Sequence, residues 1–303
     1  MTAVVHQKLF DMRNMRLFSE KSVGRLWLGA VFLFLYIPLF FLIVFSFNST
    51  RQDGVFTGFS LRWYEALWSD PRLVDGFFLS LKVALVTGTL SVALGCFAAF
   101  VLVRYRRFSG RTLFYGLVNA PLVMPEVIIG LSLLLLMVAL QRATSWPERG
   151  FITIVMGHTL LGMAYATVVI QSRLSEMDRS IEEAAMDLGC RPMQVFFLVT
   201  LPTIAPALVS AWLLTFTLSF DDVVISEFLS GPGVTTLPQV IFSYARRGVN
   251  PSIYAAATLL IAAVSMGIIA YSLFSARRQR RLDRDLSAAS RPEAASSVPA
   301  PAR

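Results

Sequence analysis

Six stretches of this chain, 26–47, 77–103, 113–140, 151–171, 204–229 and 253–275, are almost continuously apolar. Each reaches the roughly 20 residues that a helix needs to cross about 30 Å of hydrocarbon. Lipid offers no partner for a backbone N–H or C=O, so a crossing segment must be a helix or belong to a closed barrel. The alternation of a barrel is not visible here. With 55% hydrophobic and only 15% charged residues, the 303-residue chain is too apolar for a soluble domain. The expected fold is an all-α integral membrane protein of six transmembrane helices, 26–275, flanked by tails 1–25 and 276–303.

Arginine and lysine fall in clusters on one side of this six-helix path. Lys8, Arg13, Arg16, Lys21 and Arg25 precede the first stretch, Arg104, Arg106, Arg107 and Arg111 follow the second, and Arg277, Arg278, Arg280, Arg281 and Arg284 follow the sixth. The opposite loops dilute Arg51, Arg62 and Arg72 with Asp53, Glu65, Asp70 and Asp75, and then hold Arg142 and Arg149 with Glu148, and Arg246 with Arg247. Positive charge is retained on the cytoplasmic side, so both termini and the loops 104–112 and 174–203 are expected there. The net charge of +8 is accounted for by basic loops facing anionic headgroups and calls for no nucleic acid.

The 174–203 loop carries the segment EAAMDLGCRPMQVFFLVTLP, residues 183–202. Ser180 and Glu183 have the spacing of a capping box at the start of a short helix. Glu182 and Asp187 add acidic charge. Gly189 suits a left-handed residue closing that helix, and Pro192 suits the first turn of a second one. Ala184 and Ala185 leave a patch almost without side chains, open to close approach by another surface. Pro202 is expected to end or kink the unit.

Glu183-Ala184-Ala185, Gly189, Val199 and Leu201-Pro202 resemble the EAA loop of ATP-binding-cassette importer permeases. The segments APLVMPEVIIGLSLLLL from Ala120, RSIEEAAMDLG from Arg179, LTFTLSFDDVVISEFLSGPGVTTLPQVIFS from Leu214 and RRGVNPSIYAAATL from Arg246 are similar to the putrescine and spermidine permeases. Within that polyamine family the likeness is greatest to the second permease of putrescine importers. The resemblance implies a type I importer (MetI-like) architecture in a bacterial inner membrane. It also implies a heterodimer with a homologous first permease, two copies of a cytoplasmic ATPase holding ATP and Mg, and a periplasmic polyamine-binding protein. This chain would bind no cofactor itself and do no covalent chemistry. The coupling role falls on Glu182, Glu183, Ala184, Ala185, Gly189, Leu201 and Pro202.

Acids inside the spans point to cargo. Glu126 follows Pro121 and Pro125 near the middle of the third stretch, while Asp221, Asp222 and Glu227 lie in the outer half of the fifth, with no basic residue expected at their depth. An ionised side chain at the bilayer centre costs roughly 2.5–3.5 kcal/mol on insertion scales, so such residues normally line a wet path or find a partner. Unmatched acids favour a cationic solute. Trp212, Phe216 and Phe220 form one aromatic row that cation–π contact could use. Capping or packing is the competing reading of each residue taken singly. The Gly231-Pro232-Gly233 turn is a candidate contact for the binding protein.

Other classes find less support. An ion-coupled secondary transporter would also carry intramembrane acids but has no use for an EAA loop, and no inverted repeat is visible. An intramembrane enzyme needs a nucleophile beside a base, and His158 is the one base candidate, without a nucleophile motif near it. Cys96 and Cys190 sit at different depths, which disfavours a disulfide, and His6 and His158 assemble no metal cluster. The first apolar stretch is too long for a cleaved signal and lacks a cleavage pattern. From about residue 286 the tail is Ala, Ser, Pro and Arg and is expected to be disordered.

Overall fold

A computed structural model describes residues 2–50, 55–105, 107–247 and 251–289, and they form an all-helical chain. Among these residues the strand pairing is one isolated antiparallel bridge between Asn48 and Phe59. Arg51, Asp53, Arg106 and the tail from 290 onward, all weighed in the sequence, lie outside the described residues.

The chain divides into two compact units, Met1–Leu67 with Asn250–Arg303, and Trp68–Val249. In the first, α1 (Thr2–Ser46) packs on α12 (Pro251–Ala289). Asn48 organises the loop that follows α1. Its amide donates to the Val55 carbonyl at 2.7 Å and its side-chain oxygen accepts from the Thr57 N–H at 3.0 Å. Its own carbonyl receives the indole N–H of Trp63, in α2 (Arg62–Trp68), at 2.7 Å. Helix runs further at both ends than the sequence suggests, from Thr2 and to Ala289. Propagating an existing helix through Arg, Leu and Ala costs little.

The second unit contains α3 (Pro71–Arg104), α4 (Arg111–Val123), α5 (Glu126–Thr144), α6 (Phe151–Glu176), α7 (Arg179–Asp187), α8 (Pro192–Val195), a π segment Phe196–Thr200, α9 (Leu201–Asp221), α10 (Val224–Leu229) and α11 (Leu237–Arg246). Here α3, α6 and α9 pack mutually, and α10 rests on α5 and α6. Lipid supplies little hydrophobic drive between helices, so close contact depends on small residues. The contact face of α3 accordingly carries Gly88, Ser91, Gly95, Ala98 and Ala99. A Cβ on Gly95 would lie 2.7 Å from the Ala166 Cβ, and one on Gly162 would collide with the Ser91 hydroxyl.

Among the described residues, five helical runs are long and apolar enough to cross a membrane: Ser22–Ser46, Pro71–Arg104, Glu126–Thr144, Phe151–Glu176 and Pro192–Asp221; Ser252–Gly267 is apolar but shorter. Two expected spans are redrawn. The third, 113–140, is two helices, because Pro125 forces Met124 out of the helical region (ψ 139°) and α5 starts afresh at Glu126. The fifth, 204–229, stops at Asp221, where Asp222 turns extended (ψ 131°) before α10. At its other end Pro202 neither stops nor breaks the run. A π turn, with the Leu201 N–H bonded to the Phe196 carbonyl, absorbs the N–H that proline lacks.

Candidate functional site

Chemistry-bearing residues of the second unit gather at two places, around α7 and around the α9–α10 break.

Helix α7 has no buried residue. Its N-cap is Asp178 rather than Ser180: the Asp178 carboxylate accepts the Ser180 N–H at 3.0 Å. Those bonds from the Ser180 backbone N–H and hydroxyl hold the Asp178 carboxyl below its ordinary value. The helix therefore starts at Arg179, and Glu183 is left exposed. At the far end the Cys190 N–H returns to the Ala185 carbonyl at 3.1 Å around Gly189 at φ 90°. Nothing lies within 4 Å of a Cβ built on Gly189, so the backbone conformation alone requires glycine there. Pro192 opens α8 as its first residue, with the Arg191 N–H bonded to Gln194 at 2.8 Å. Ile181, Met186, Leu188 and Met193 stand out from these turns, Leu188 with 87% of its surface exposed. A group of large apolar side chains held on short capped helices marks a contact surface.

Glu182 behaves differently from its neighbour. Its Oε1 accepts the Arg104 guanidinium at 2.8 Å and the Thr200 hydroxyl at 2.7 Å, so it faces inward to the ends of α3 and the π segment. Arg179 adds a bond to the Val103 carbonyl at 3.2 Å. Leu201 and Pro202 belong to the first turn of α9, beyond this anchor.

The second place is a cavity of about 330 Å³, whose lining includes Glu126 at the start of α5, His158 and Leu161 of α6, and Thr215, Thr217, Ser219, Asp221 and Asp222 around the end of α9. Asp222 is committed there. It accepts the Ser226 N–H at 2.8 Å and the Ile225 N–H at 3.3 Å, capping α10, and it meets His158 Nε2 at 3.1 Å. Because a carboxylate only accepts, His158 Nε2 carries a proton and donates it; Nδ1, 2.7 Å from the Ser219 hydroxyl, is the acceptor in the neutral ring. Ser226 lies 3.1 Å from Nε2 as well. Glu126 and Asp221 are exposed to the cavity, and neither has an ion-pair partner among the described residues.

The remaining predicted residues lie elsewhere. Glu227 sits on α10 away from the cavity and accepts the Gln239 amide at 3.0 Å. Trp212, Phe216 and Phe220 stack in sequence, with centroids 5.2 and 5.9 Å apart, on the side of α9 that faces α3. Trp212 covers Gly88 and bonds Thr89 at 3.2 Å, and Phe220 meets Phe77 at 6.1 Å. Four-residue spacing keeps that row on one face, and the cavity takes 215, 218, 221 and 222 from the others. Gly231 lets its turn run against the Arg149 carbonyl.

The sequence places no base near the acids, yet His158 is within the cavity wall, and Lys82 lies exposed in α3. His158 and Asp222 are 64 residues apart, and counting residues from the shared end of α6 and α9 is the signal that would have paired them. The Arg104–Glu182 pair left no such signal beyond both residues lying in loops assigned to the same side.

Residues 91–284 match the family of binding-protein-dependent transport system inner membrane components. Over 262 residues the chain is 52% identical to the putrescine transport system permease protein PotI of Escherichia coli (strain K12), covering 86% of this chain and 93% of that one. It is 36% identical over 248 residues to the spermidine/putrescine transport system permease protein PotC of Haemophilus influenzae, covering 82% and 94%. Among solved structures, a bacterial ABC transporter involved in import of the acidic polysaccharide alginate overlays with a TM-score of 0.62 at 15% identity, covering 85% of this chain and 98% of that one. The MetNI methionine ABC transporter overlays at 0.55 with 20% identity, covering 72% and 97%. These two likenesses establish the fold.

Proposed function

The chain belongs to the family of binding-protein-dependent transport system inner membrane components, and on that premise we propose that it is one of two membrane subunits of an ATP-driven importer carrying putrescine or spermidine into the cytoplasm. It is a non-catalytic translocation subunit. Its partners are a homologous permease, two copies of an ATPase that binds ATP and Mg, and a periplasmic polyamine-binding protein. Both termini and α7 face the cytoplasm, supported by the arginine clusters on that side.

The observation that carries this reading is α7 itself, a nine-residue helix with no buried residue, capped at both ends and anchored at its root to α3 and α9. A helix fixed to the spans by Glu182 and leaving most of its remaining residues exposed is built for a partner. Glu183, Ala184 and the exposed Leu188 form the docking face, and α7 moves as a lever when ATP closes the ATPase pair. ATP acts by binding one arrangement better than the other, and the docked helix passes that preference to the spans.

For the cargo, Glu126 and Asp221 supply two uncommitted carboxylates on one cavity, suited to the two ammonium groups of a diamine. Asp222, already bonded to His158 and α10, shapes the wall. The Gly231–Gly233 turn is offered to the binding protein.

The test is uptake of labelled putrescine and spermidine by proteoliposomes holding the assembled complex. ATP-dependent uptake that also needs the binding protein is expected. Uptake that survives without ATP and follows the proton gradient would instead indicate an ion-coupled carrier.

A further inference from the structure

Resting on the coupling role proposed for α7, we infer that Glu182 is a positioning residue: it joins the ATPase-facing helix to the ends of two membrane helices and converts displacement of α7 into displacement of α3 and α9. Glu182 and Glu183 are adjacent, and neighbours on a helix point about 100° apart. Glu183 is exposed on the face open to a partner. Glu182 points the other way, with its side chain only 13% exposed and that of Arg104 10% exposed.

Both bonds end on the same oxygen. Arg104 is the last residue of α3 and reaches Glu182 Oε1 at 2.8 Å, while the buried Thr200 donates to that atom at 2.7 Å. Any shift of α7 therefore loads α3 and the root of α9 together. Thr200 closes the π segment, where the regular ladder of the helix is already opened by one residue. A pull delivered there acts where that span departs from the regular α-helical ladder. Two further contacts keep the joint from slipping: Arg179 on the Val103 carbonyl at 3.2 Å, and Phe100 of α3 edge-on to Phe196 at 5.1 Å. A charge-assisted pair shielded from water transmits force over a short, directional contact that loop backbone alone does not offer.

The experiment uses the whole complex, with permease pair, ATPase and binding protein, in proteoliposomes, and reads ATPase retention, ATP hydrolysis and putrescine carried per ATP. Glu182→Ala is expected to retain the ATPase and to hydrolyse ATP within about twofold of wild type, while putrescine per ATP falls about tenfold, in the range of an ordinary coupling between sites. Thr200→Val, which removes one hydrogen bond and keeps the shape, is expected to lower the ratio about threefold. Exchanging the charges, Glu182→Arg with Arg104→Glu, is expected to restore at least about half of the ratio that either change alone removes. Glu183→Ala, by contrast, is expected to lose ATPase retention.

Loss of the ATPase from Glu182→Ala would overturn the inference by making Glu182 a docking residue. An unchanged ratio in both Glu182→Ala and Thr200→Val would overturn it as well, as would a charge exchange no better than either single change. If Glu182→Ala fails to assemble, Thr200→Val and the charge exchange decide the matter. Absence of ATP-dependent uptake in the wild-type complex would count against the importer reading itself and is a separate result.

Discussion

Replacing His158 by leucine is expected to lower the stability of the chain by about 1–2 kcal/mol, a value bracketed by two known extremes. Removing one partner of a fully buried ion pair costs about 3–5 kcal/mol, because a charge is left uncompensated. Hydrogen bonds between membrane helices, measured by double-mutant cycles, average only about 0.6 kcal/mol and reach about 1.7. Asp222 lies between these cases. Its side chain is 10% exposed and borders the cavity, and it keeps the Ser226 N–H at 2.8 Å and the Ile225 N–H at 3.3 Å when the imidazole is gone. Ser219 loses its 2.7 Å partner. Leucine is close to histidine in volume, so little is added for an empty space.

At about 2–4 °C per kcal/mol for chains near this size, the melting temperature in detergent falls by about 2–8 °C. Thermal challenge followed by size-exclusion chromatography measures it. The companion change Asp222→Asn and the double variant close a cycle, and a coupling energy of at least about 0.5 kcal/mol is expected because the two side chains touch. A His158→Leu chain as stable as the wild type, or single effects that add without coupling, would refute the role given to this pair.

Gly189 at φ 90° has open space around it, so Gly189→Val is expected to weaken the α7–α8 turn by about 1–2 kcal/mol through backbone strain alone, with Gly189→Asn much milder; ATPase retention on affinity resin reads the difference. Glu126→Gln and Asp221→Asn, each leaving the His158 network intact, are expected to raise the KM for putrescine about fivefold or more with ATPase retention unchanged, the loss of one exposed charge contact per ammonium. Asp178→Ala removes the α7 cap and is expected to speed hydrogen exchange of the first-turn amides relative to the wild type. The Asp178 carboxyl has its folded value below its unfolded one, so its contribution is present above the ordinary carboxylate range and is lost as pH falls through the folded value; exchange corrected for intrinsic rate should rise on acidification in the wild type and not in Asp178→Ala.

How much of this was legible beforehand depends on whether a property is local along the chain. Gly189 and Pro192 take the conformations their residue types demand, and the α7–α8 turn follows from sequence. The break at Pro125 was legible in kind, since proline restricts the residue before it. Its consequence, that Glu126 begins a helix instead of sitting in the middle of one, depends on where the chain resumes. The cap of α7 went to Asp178 over Ser180 because two capping residues two apart compete, and spacing does not rank them. Least legible were contacts between distant segments. The Trp212 row reads equally well as a cation surface or a packing surface until α3 and its Gly88 are placed beside it.

Charge in an apolar chain is informative only once its partners are known, and the acids here show why. Asp222 and Glu227 each find donors, from His158 and the α10 amides in one case and from Gln239 in the other, so the fold itself accounts for their presence. Glu126 and Asp221 find none among the described residues and share a cavity. The same division separates Glu182 from Glu183, one residue apart. Helical rotation sends the first inward to Arg104 and Thr200 and leaves the second outside. In both places a satisfied carboxylate stands beside an unsatisfied one. The satisfied member locks a helix end in position, and that rigidity gives the free member a defined place from which to meet a mobile partner, in the proposed function an ATPase at α7 or an amine in the cavity. A chain with only free acids would hold them loosely, and a chain with only paired ones would have nothing left to bind with.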